Sequence, residues 1–320
     1  MPVLPRLDRR GLLALGVALA AGVGRADVVR AEERGAAALP LEAVAEGVHV
    51  FRAPYELVAP SNDGAIANMT LIVGDEAAAV IDTGNSYRAG ALMRAAVRGV
   101  TDKPLRYVIN THMHPDHTLG NAAFDGEGVR FVAHHKMPRA LSLRAETYLA
   151  QVERLLGPEA GGTRIVLPDL LVEDRLTLDL GGRPLELRAH PTAHTDNDLT
   201  VFDVASGTWV MGDLLFVGHI PTLDGSLIGW LDLLDQLAGR AVQRAVPGHG
   251  PASVAWPEAS DAERRYLAAL RSDMSRLLEE GRPMSEAPAH AVVSERGEWA
   301  LFDEFNSRNA IAAYHELEWE

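Results

Sequence analysis

"INTHMHPDHTLGNAAF", residues 109–124, places His112, His114, Asp116 and His117 within six consecutive positions of a chain that has 12 histidines among 320 residues. Each imidazole carries two polar nitrogens and costs free energy when buried without partners, so a packed core has no use for such a run. A metal ion does. The preceding "RYVIN" (Arg106 to Asn110) reads as a compact buried strand that delivers the chain into this loop. In extended chain, residues i and i+2 point the same way, so two imidazoles can meet one ion while the next pair turns to another. A dinuclear site is the economical expectation.

Cysteine is absent from the sequence, which removes disulfides, thiolate ligands and cysteine nucleophiles together. Any metal is therefore held by nitrogen and oxygen. Zinc suits imidazole and carboxylate ligands at roughly 2.0–2.2 Å, and a second ion about 3.5–4 Å away can share a bridging oxygen. Three more candidate ligands lie in the second half, each after an apolar run and beside small residues: His194 in "PTAHTDND", Asp213 in "VMGDLLF" after a strand ending in glycine, and His249 in "VPGHGP". In the first half, Asp82 ends a strand in "AAAVIDTG".

Around these motifs the chain alternates short β-rich runs with helical stretches. "GVHVFRA", "NMTLIVG" and "AAAVIDTG" read as strands, and "SYRAGALMRAAVRGV" as a helix. The alternation recurs through "DRLTLDLG", "PLELRAH", "DLTVFDVASGTWVMGD", a helical stretch from about Leu227 to Leu237, and "RAVPGHG". The two halves are similar in layout without close sequence repeats. The segment from Ala259 to Gly281 has leucines at helical spacing, with Ser260 expected as its cap and Gly281 as its end.

With 47% hydrophobic and 23% charged residues the chain can bury a sizeable core. A net charge of −14 argues against a phosphate-binding surface and excludes nucleic acid as an expected partner. At the N-terminus, Arg9 and Arg10 precede the apolar run "GLLALGVALAAGV", too short to span a bilayer, and Gly24, Arg25 and Ala26 follow as a small-x-Ala cleavage pattern. Residues 1–26 are expected to be an export signal of the twin-arginine type, the route that carries folded proteins across the bacterial inner membrane; an ordinary signal with a basic start is the alternative. Cleavage removes four arginines and one aspartate, which leaves a more acidic, periplasmic protein with no stable membrane span. Residues 27–43 are expected to be a linker, 44–258 the main domain, and 259–320 a C-terminal helical extension packed on it.

From Val44 to Pro251, Asp82 in "IDTG", "HMHPDH", His194, Asp213 and His249 occur in the order of the five motifs of the metallo-β-lactamase superfamily, which the chain resembles. The resemblance implies an α/β (α+β) fold, a four-layer αββα sandwich. It also implies His112, His114 and His194 on one metal, Asp116, His117 and His249 on the other, and Asp213 bridging, with two Zn2+ per chain. Flavodiiron reductases of the superfamily have glutamate where this chain has His114, and the best-known zinc β-lactamases use a cysteine that this chain lacks; both assignments are weakened. "VTDKPLRYVINTHMHPDHTLGNAAF", "GDLLFVGHIPTLDGSLIGWL" and the tail "LFDEFNSRNAIAAYHELEWE" further resemble the SoxH-like group, the quinoprotein relay system zinc metallohydrolases. That group implies an association with a periplasmic quinoprotein system.

The function so implied is hydrolysis of an ester, thioester, lactone or amide of a small molecule by a hydroxide bridging two zinc ions, available near neutral pH because coordination lowers the pKa of water. Asp116 would orient the hydroxide as well as ligate. Asp82 would accept a hydrogen bond from a ligand imidazole, or simply cap a turn. His219, six positions past Asp213, could donate to a developing oxyanion or be a histidine satisfied by backbone carbonyls. Asn62, Asp63 and Asn68 lie on a stretch that could overhang the metals, with ordinary turn chemistry favoured. His190 reads as a partly exposed loop residue, and His134, His135 and His290 have no supporting constellation. Trp230, Trp256, Trp299 and Phe302 read as packing for the terminal helices. Two other functions fit the ligand loop: an iron-dependent sulfur dioxygenase, and a metal-dependent maturation or binding factor of a quinoprotein.

Overall fold

In "VHVF" the valines alternate with His49, and in the folded chain Val48 and Val50 are fully buried while His49 is half-buried, the period of two that a strand imposes. The computed structural model describes residues 38–126 and 128–320. The export signal expected over residues 1–26 lies outside the described residues. Among those described, no helix is long and apolar enough to cross a membrane.

Seven strands make the first sheet, side by side in chain order: β1 (Glu42–Ala45), β2 (Val48–Phe51), β3 (Met69–Val73), β4 (Ala78–Ile81), β5 (Leu105–Ile109), β6 (Arg130–His134) and β7 (Leu170–Val172). β1 to β4 pair antiparallel, and β4 to β7 pair parallel. Parallel neighbours need a crossover, supplied by α1 (Tyr87–Val100) between β4 and β5 and by α2 (Met137–Leu156) between β6 and β7. The second sheet has the order β12-β11-β10-β9-β8, from β8 (Arg175–Asp179), β9 (Pro184–Ala189), β10 (Leu199–Asp203), β11 (Thr208–Phe216) and β12 (Arg244–His249). Its one parallel pair, β11 with β12, is bridged by α3 (Leu227–Leu237).

The sheets face each other through one apolar layer. Val50, Ile72, Ile81 and Ile109 from the first meet Leu187, Val201, Val210 and Val246 from the second, all buried. Burying each such side chain contributes about 1.5–3 kcal/mol. Outside the first sheet lies α1, whose Ala89, Met93 and Val97 recur at every fourth position and cover Leu71, Val80 and Val108. Its start is fixed by Ser86, whose hydroxyl accepts the Ala89 N–H at 3.0 Å. Outside the second sheet lie α3, α4 (Asp261–Glu279) and α5 (Phe302–Leu317). Tyr266, Leu270 and Leu277 of α4 share one core with Trp230 of α3 and with Met211 and Phe216 of β11. Two sheets flanked by helices, with a further helical region at the C-terminus, are the sandwich that the sequence led us to expect.

Two local expectations fail. The segment expected as a linker up to residue 43 already contains β1 from Glu42, and Leu39 and Leu41 before it pack against the core. β1 is a short edge strand with exposed and half-buried residues only, so it leaves little apolar signal. Ser260 does not cap α4 with its side chain; its hydroxyl instead donates to the Pro257 carbonyl at 2.8 Å, inside a 3-10 turn that precedes the helix.

The start of α3 has a cap from an unexpected place. Glu316, in the last turn of α5, accepts the Leu227 N–H at 2.6 Å and the Ser226 hydroxyl, which puts a carboxylate on the positive end of α3. Glu316→Ala leaves those groups without an acceptor, so urea unfolding is expected to show a loss of about 1–2 kcal/mol; an unchanged midpoint would remove this contact from the account of how the extension is held.

Candidate metal centre

The histidine loop changes conformation halfway, and that change separates its ligands into two groups. His114 is extended (φ −61°, ψ 151°), as a residue before proline must be, and Pro115 then opens a helical turn, Pro115–Thr118. His112 and His114 thus leave the chain in extended geometry, whereas Asp116 and His117 leave it from the turn. The turn is anchored from below: the His117 carbonyl accepts the Thr83 N–H at 3.1 Å and the Asn110 amide at 2.8 Å, and Asn110 pairs with Asn121.

His194 arrives from the loop after β9, Asp213 from within β11 and His249 from the end of β12. The expected strand ending before Asp213 is instead one continuous buried strand with an irregularity at Gly212, where φ is +55°. A side chain at 212 would also meet Thr111 Cβ at 2.6 Å, so only glycine lets the strand turn the Asp213 carboxylate toward the histidine loop. Opposite it, a Cβ at position 248 would lie 1.9 Å from Asp213 Oδ1.

Seven side chains converge in two clusters, His112, His114, His194 and Asp213 in one, and Asp116, His117 and His249 in the other. In the first, His112 Nε2, His114 Nδ1 and His194 Nε2 are 3.0–3.3 Å apart, and Asp213 Oδ2 is 3.5 Å from His194 Nε2 and 3.8 Å from His112 Nε2. Four donors at bond lengths of 2.0–2.1 Å around a tetrahedral ion stand about 3.3 Å from one another. In the second, Asp116 Oδ2 is 3.3 Å from His249 Nε2 and 3.7 Å from His117 Nε2. Asp213 reaches this cluster too, with Oδ1 3.2 Å from His117 Nε2 and Oδ2 3.5 Å from His249 Nε2. Yet His117 Nε2 and Asp213 Oδ1 are both buried with no hydrogen-bond partner. Buried polar atoms left unsatisfied cost about 1–3 kcal/mol each, and a cation among these donors would satisfy both. The donor set fits divalent metal.

Outer contacts fix which nitrogen of each ring faces inward. Asp82, at φ +60°, accepts His117 Nδ1 at 2.8 Å together with the Thr111 N–H and hydroxyl at 2.8 Å, so it orients an imidazole and closes a turn at once. His194 Nδ1 donates to the Thr222 carbonyl at 2.7 Å, and His114 Nε2 to Asp224 at 3.0 Å. Asp224 also accepts Arg144 at 3.2 Å. Sequence reasoning passed over Asp224, since an aspartate in a loop carries no signal until folding sets it beside His114, 110 positions earlier.

Several weaker expectations are redirected. His219 lines the cavity over the clusters, its ring centroid 4.8 Å from that of His249, but its Nδ1 is 2.7 Å from the Ile220 carbonyl, which only accepts. Burial also lowers its pKa to about 4, so the neutral ring presents a lone pair at Nε2 and cannot donate to an oxyanion. His190 is buried, not partly exposed, with Nε2 2.8 Å from the Thr200 hydroxyl, and belongs to neither cluster. Nor do His134, His135 or His290. Asn68 clamps the strand that carries His249, donating to the Pro247 carbonyl at 2.9 Å, while Asp63 pairs with Arg88 and Asn62 accepts the Ala59 N–H, which is turn chemistry. Trp230, Trp256, Trp299 and Phe302 sit in the core of the second sheet; the aromatic ring of the terminal helices that reaches the cavity is Phe305.

Protonation of the metal-free site follows from its charges. Burial and neighbouring imidazoles hold His112 far down, and burial lowers His194 to about 3. For His117 and His249 the opposing burial is outweighed by carboxylates, Asp213 foremost, which raise His117 strongly and His249 to about 9. At pH 7 both therefore hold a proton where a cation would bind. Metal uptake is expected to release about two protons per chain and to tighten as pH rises toward 9, read by calorimetry in buffers of different ionisation enthalpy. In the metal-free protein His249 contributes stability that is full below its unfolded value of 6.5 and lost as pH passes about 9. Uptake without proton release would contradict this assignment.

Two metal-compatible clusters sharing one carboxylate, built on the strands and connecting loops of a two-sheet sandwich, define a metallohydrolase-like centre. The chain belongs to the metallo-beta-lactamase superfamily, whose family description matches residues 62–249. It is 28% identical over 214 residues to acyl-coenzyme A thioesterase MBLAC2 of Bos taurus, a match covering 58% of this chain and 74% of that protein, and the Homo sapiens protein matches to the same extent. Among solved structures, the sec-alkylsulfatase Pisa1 from Pseudomonas sp. superposes with a TM-score of 0.65 at 17% identity over 87% of this chain, which spans half the length of that enzyme. A metallo-beta-lactamase from Pontibacter korlensis superposes with a TM-score of 0.56 at 20% identity, covering 72% of this chain and 99% of that one.

Proposed function

We propose that this protein is an exported, dinuclear zinc hydrolase that cleaves an acyl bond of a small molecule, with thioesters and esters as its first substrate class. One observation carries the reading: Asp213 lies within ligand distance of both clusters, so seven side chains make two sites that share a carboxylate. The thioesterase likeness over 58% of the chain supports an acyl bond as the target.

Bound cations supply Lewis acidity toward a carbonyl oxygen and activate water at neutral pH. The chain's own residues do the rest. Asp82 and Asp224 hold His117 and His114 in the tautomers that turn a lone pair inward. Asp116 is 15% exposed at the floor of the cavity, where its carboxylate can accept a proton from an attacking water and orient it. His219, with its lone pair in the same cavity, acts as an acceptor. No serine or cysteine nucleophile is required.

The test is a panel of S-acyl thioesters, aryl esters, lactones and an alkyl sulfate, run on protein of measured metal content. Turnover of thioesters or esters at two zinc ions per chain, lost on chelation and restored by zinc, is the expected result. Dizinc protein inert toward every acyl substrate, with oxygen consumption on a persulfide when loaded with iron, would replace the hydrolase with the dioxygenase. Export and a working link to a periplasmic quinoprotein system remain part of this reading through "RR" at residues 9–10 and the SoxH-like motifs. Replacing Arg9 and Arg10 with lysine is expected to keep the protein in the cytoplasm; unchanged periplasmic accumulation on fractionation would sink the twin-arginine route.

A further inference from the structure

The cavity above the two clusters, about 480 Å³ in volume, takes part of its walls from two helices that supply none of the metal ligands. α2 presents Arg144, Tyr148, Gln151 and Leu155, spaced i, i+4, i+7 and i+11, which is one face of a helix. From the C-terminal extension, α5 presents Phe305, Arg308 and Asn309, again one face. Asn309 is committed to the fold, since it donates to the Pro221 carbonyl and accepts the Leu223 N–H. Phe305, Leu155 and Leu223, together with Leu57, Val58 and Ile66 from the stretch before β3, make the apolar part of the lining.

The charges on these walls do not cancel. Arg144 is answered by Asp224, which also holds His114. Glu56 at the rim is bonded to the Asn62 amide. Arg308 has no carboxylate partner and no hydrogen bond among the described residues, although the chain carries 44 acidic side chains against 30 basic ones. Across the same cavity, burial foremost raises the pKa of the Tyr148 hydroxyl so that it keeps its proton, with Arg144 and Arg308 pulling it down and Asp224 and Asp116 pushing it up. That hydroxyl also has no hydrogen-bond partner among the described residues, and Tyr148 is 8% exposed, in the wall of the cavity it lines. An uncommitted guanidinium and an uncommitted phenol on facing helices, in an otherwise acidic protein, form a donor pair without an acceptor.

We propose that Arg308 and Tyr148 are specificity-determining residues that bind an anionic group of the substrate, carried on a short apolar segment a few bonds from the bond that is cleaved. The proposal rests on the hydrolase reading for what happens at the floor of the cavity. The apolar lining takes the connecting methylenes, and the anion accepts from the guanidinium and the phenol. The extension is then a wall of the active site that selects substrate.

The test uses the zinc-loaded full-length protein and a matched pair of aryl esters, 4-nitrophenyl valerate and 4-nitrophenyl hydrogen glutarate, which differ in a terminal methyl or carboxylate. Wild type is expected to favour the glutarate ester by about five- to tenfold in kcat/KM, mainly through KM, with the preference shrinking as salt rises. Arg308→Met, which keeps the stem and removes the charge, is expected to abolish that preference, and Tyr148→Phe to halve it or more. No preference in wild type, or a preference that survives Arg308→Met, overturns the proposal. Should neither ester turn over, the hydrolase reading fails by itself, and binding decides: glutaramate is expected to bind wild type at least fivefold tighter than it binds Arg308→Met. Equal binding to the two overturns the proposal, because an anion held by the metals alone would not sense residue 308.

Discussion

Asp213→Ala is expected to lower zinc content from two ions per chain to about one and to slow acyl hydrolysis by about a hundredfold or more. The carboxylate places Oδ1 3.2 Å from His117 Nε2 and Oδ2 3.5 Å from both His194 and His249, so among the described residues it is the one group with an oxygen toward each cluster. Unit charges 4 Å apart repel by about 4 kcal/mol at an effective dielectric of 20, and divalent ions by several times that. A negative charge placed between them offsets the repulsion, and no other described side chain takes that place once it is removed. Elemental analysis and initial rates on wild type and variant make the measurement. One metal in an active wild type, with content and rate unchanged in Asp213→Ala, would defeat the dinuclear mechanism.

Gly248→Ala is expected to disturb the same centre without touching a ligand. The added methyl would lie 1.9 Å from Asp213 Oδ1 and 2.8 Å from the Gly212 carbonyl carbon, so either the carboxylate or two backbone segments must move. Overpacking of this kind costs about 1–3 kcal/mol, and here the most mobile obstacle is the shared ligand itself. Metal content and the unfolding midpoint should both fall. Gly99→Ala, on α1 with nothing within 4 Å of its new methyl, is the control and is expected to lose neither. Full metal occupancy in Gly248→Ala would mean that β12 yields more easily than its buried position implies.

The fold and the ligands were legible to different depths. His112, His114, Asp116 and His117 stand together in the sequence, and their crowding is itself the signal. Asp82, His194, Asp213 and His249 were found because each ends or interrupts an apolar run beside small residues, and Gly212 and Gly248 prove to be close-approach positions around Asp213. What stayed hidden depends on long-range contact. Asp224 matters only because folding sets it 3.0 Å from His114, and Glu316 only because it reaches the start of α3. Which nitrogen of His219 keeps its lone pair is decided by one backbone carbonyl, and nothing in "VGHIP" announces where that carbonyl points. Tyr148 and Arg308 looked like ordinary helix residues, since periodicity reports which face a residue shares and not what stands opposite.

The candidate ligands span positions 112 to 249 and come from both sheets, so no part of the chain shorter than the whole sandwich can assemble either cluster. Metal choice is thereby tied to the moment of folding. Imidazole and carboxylate donors alone rank copper above zinc and zinc above iron or manganese, and affinity gives little protection against whichever competitor is abundant. On the proposed twin-arginine route the chain would complete its fold before export, meet the cation supply of the compartment where it was made, and carry that selection with it into the compartment where it works.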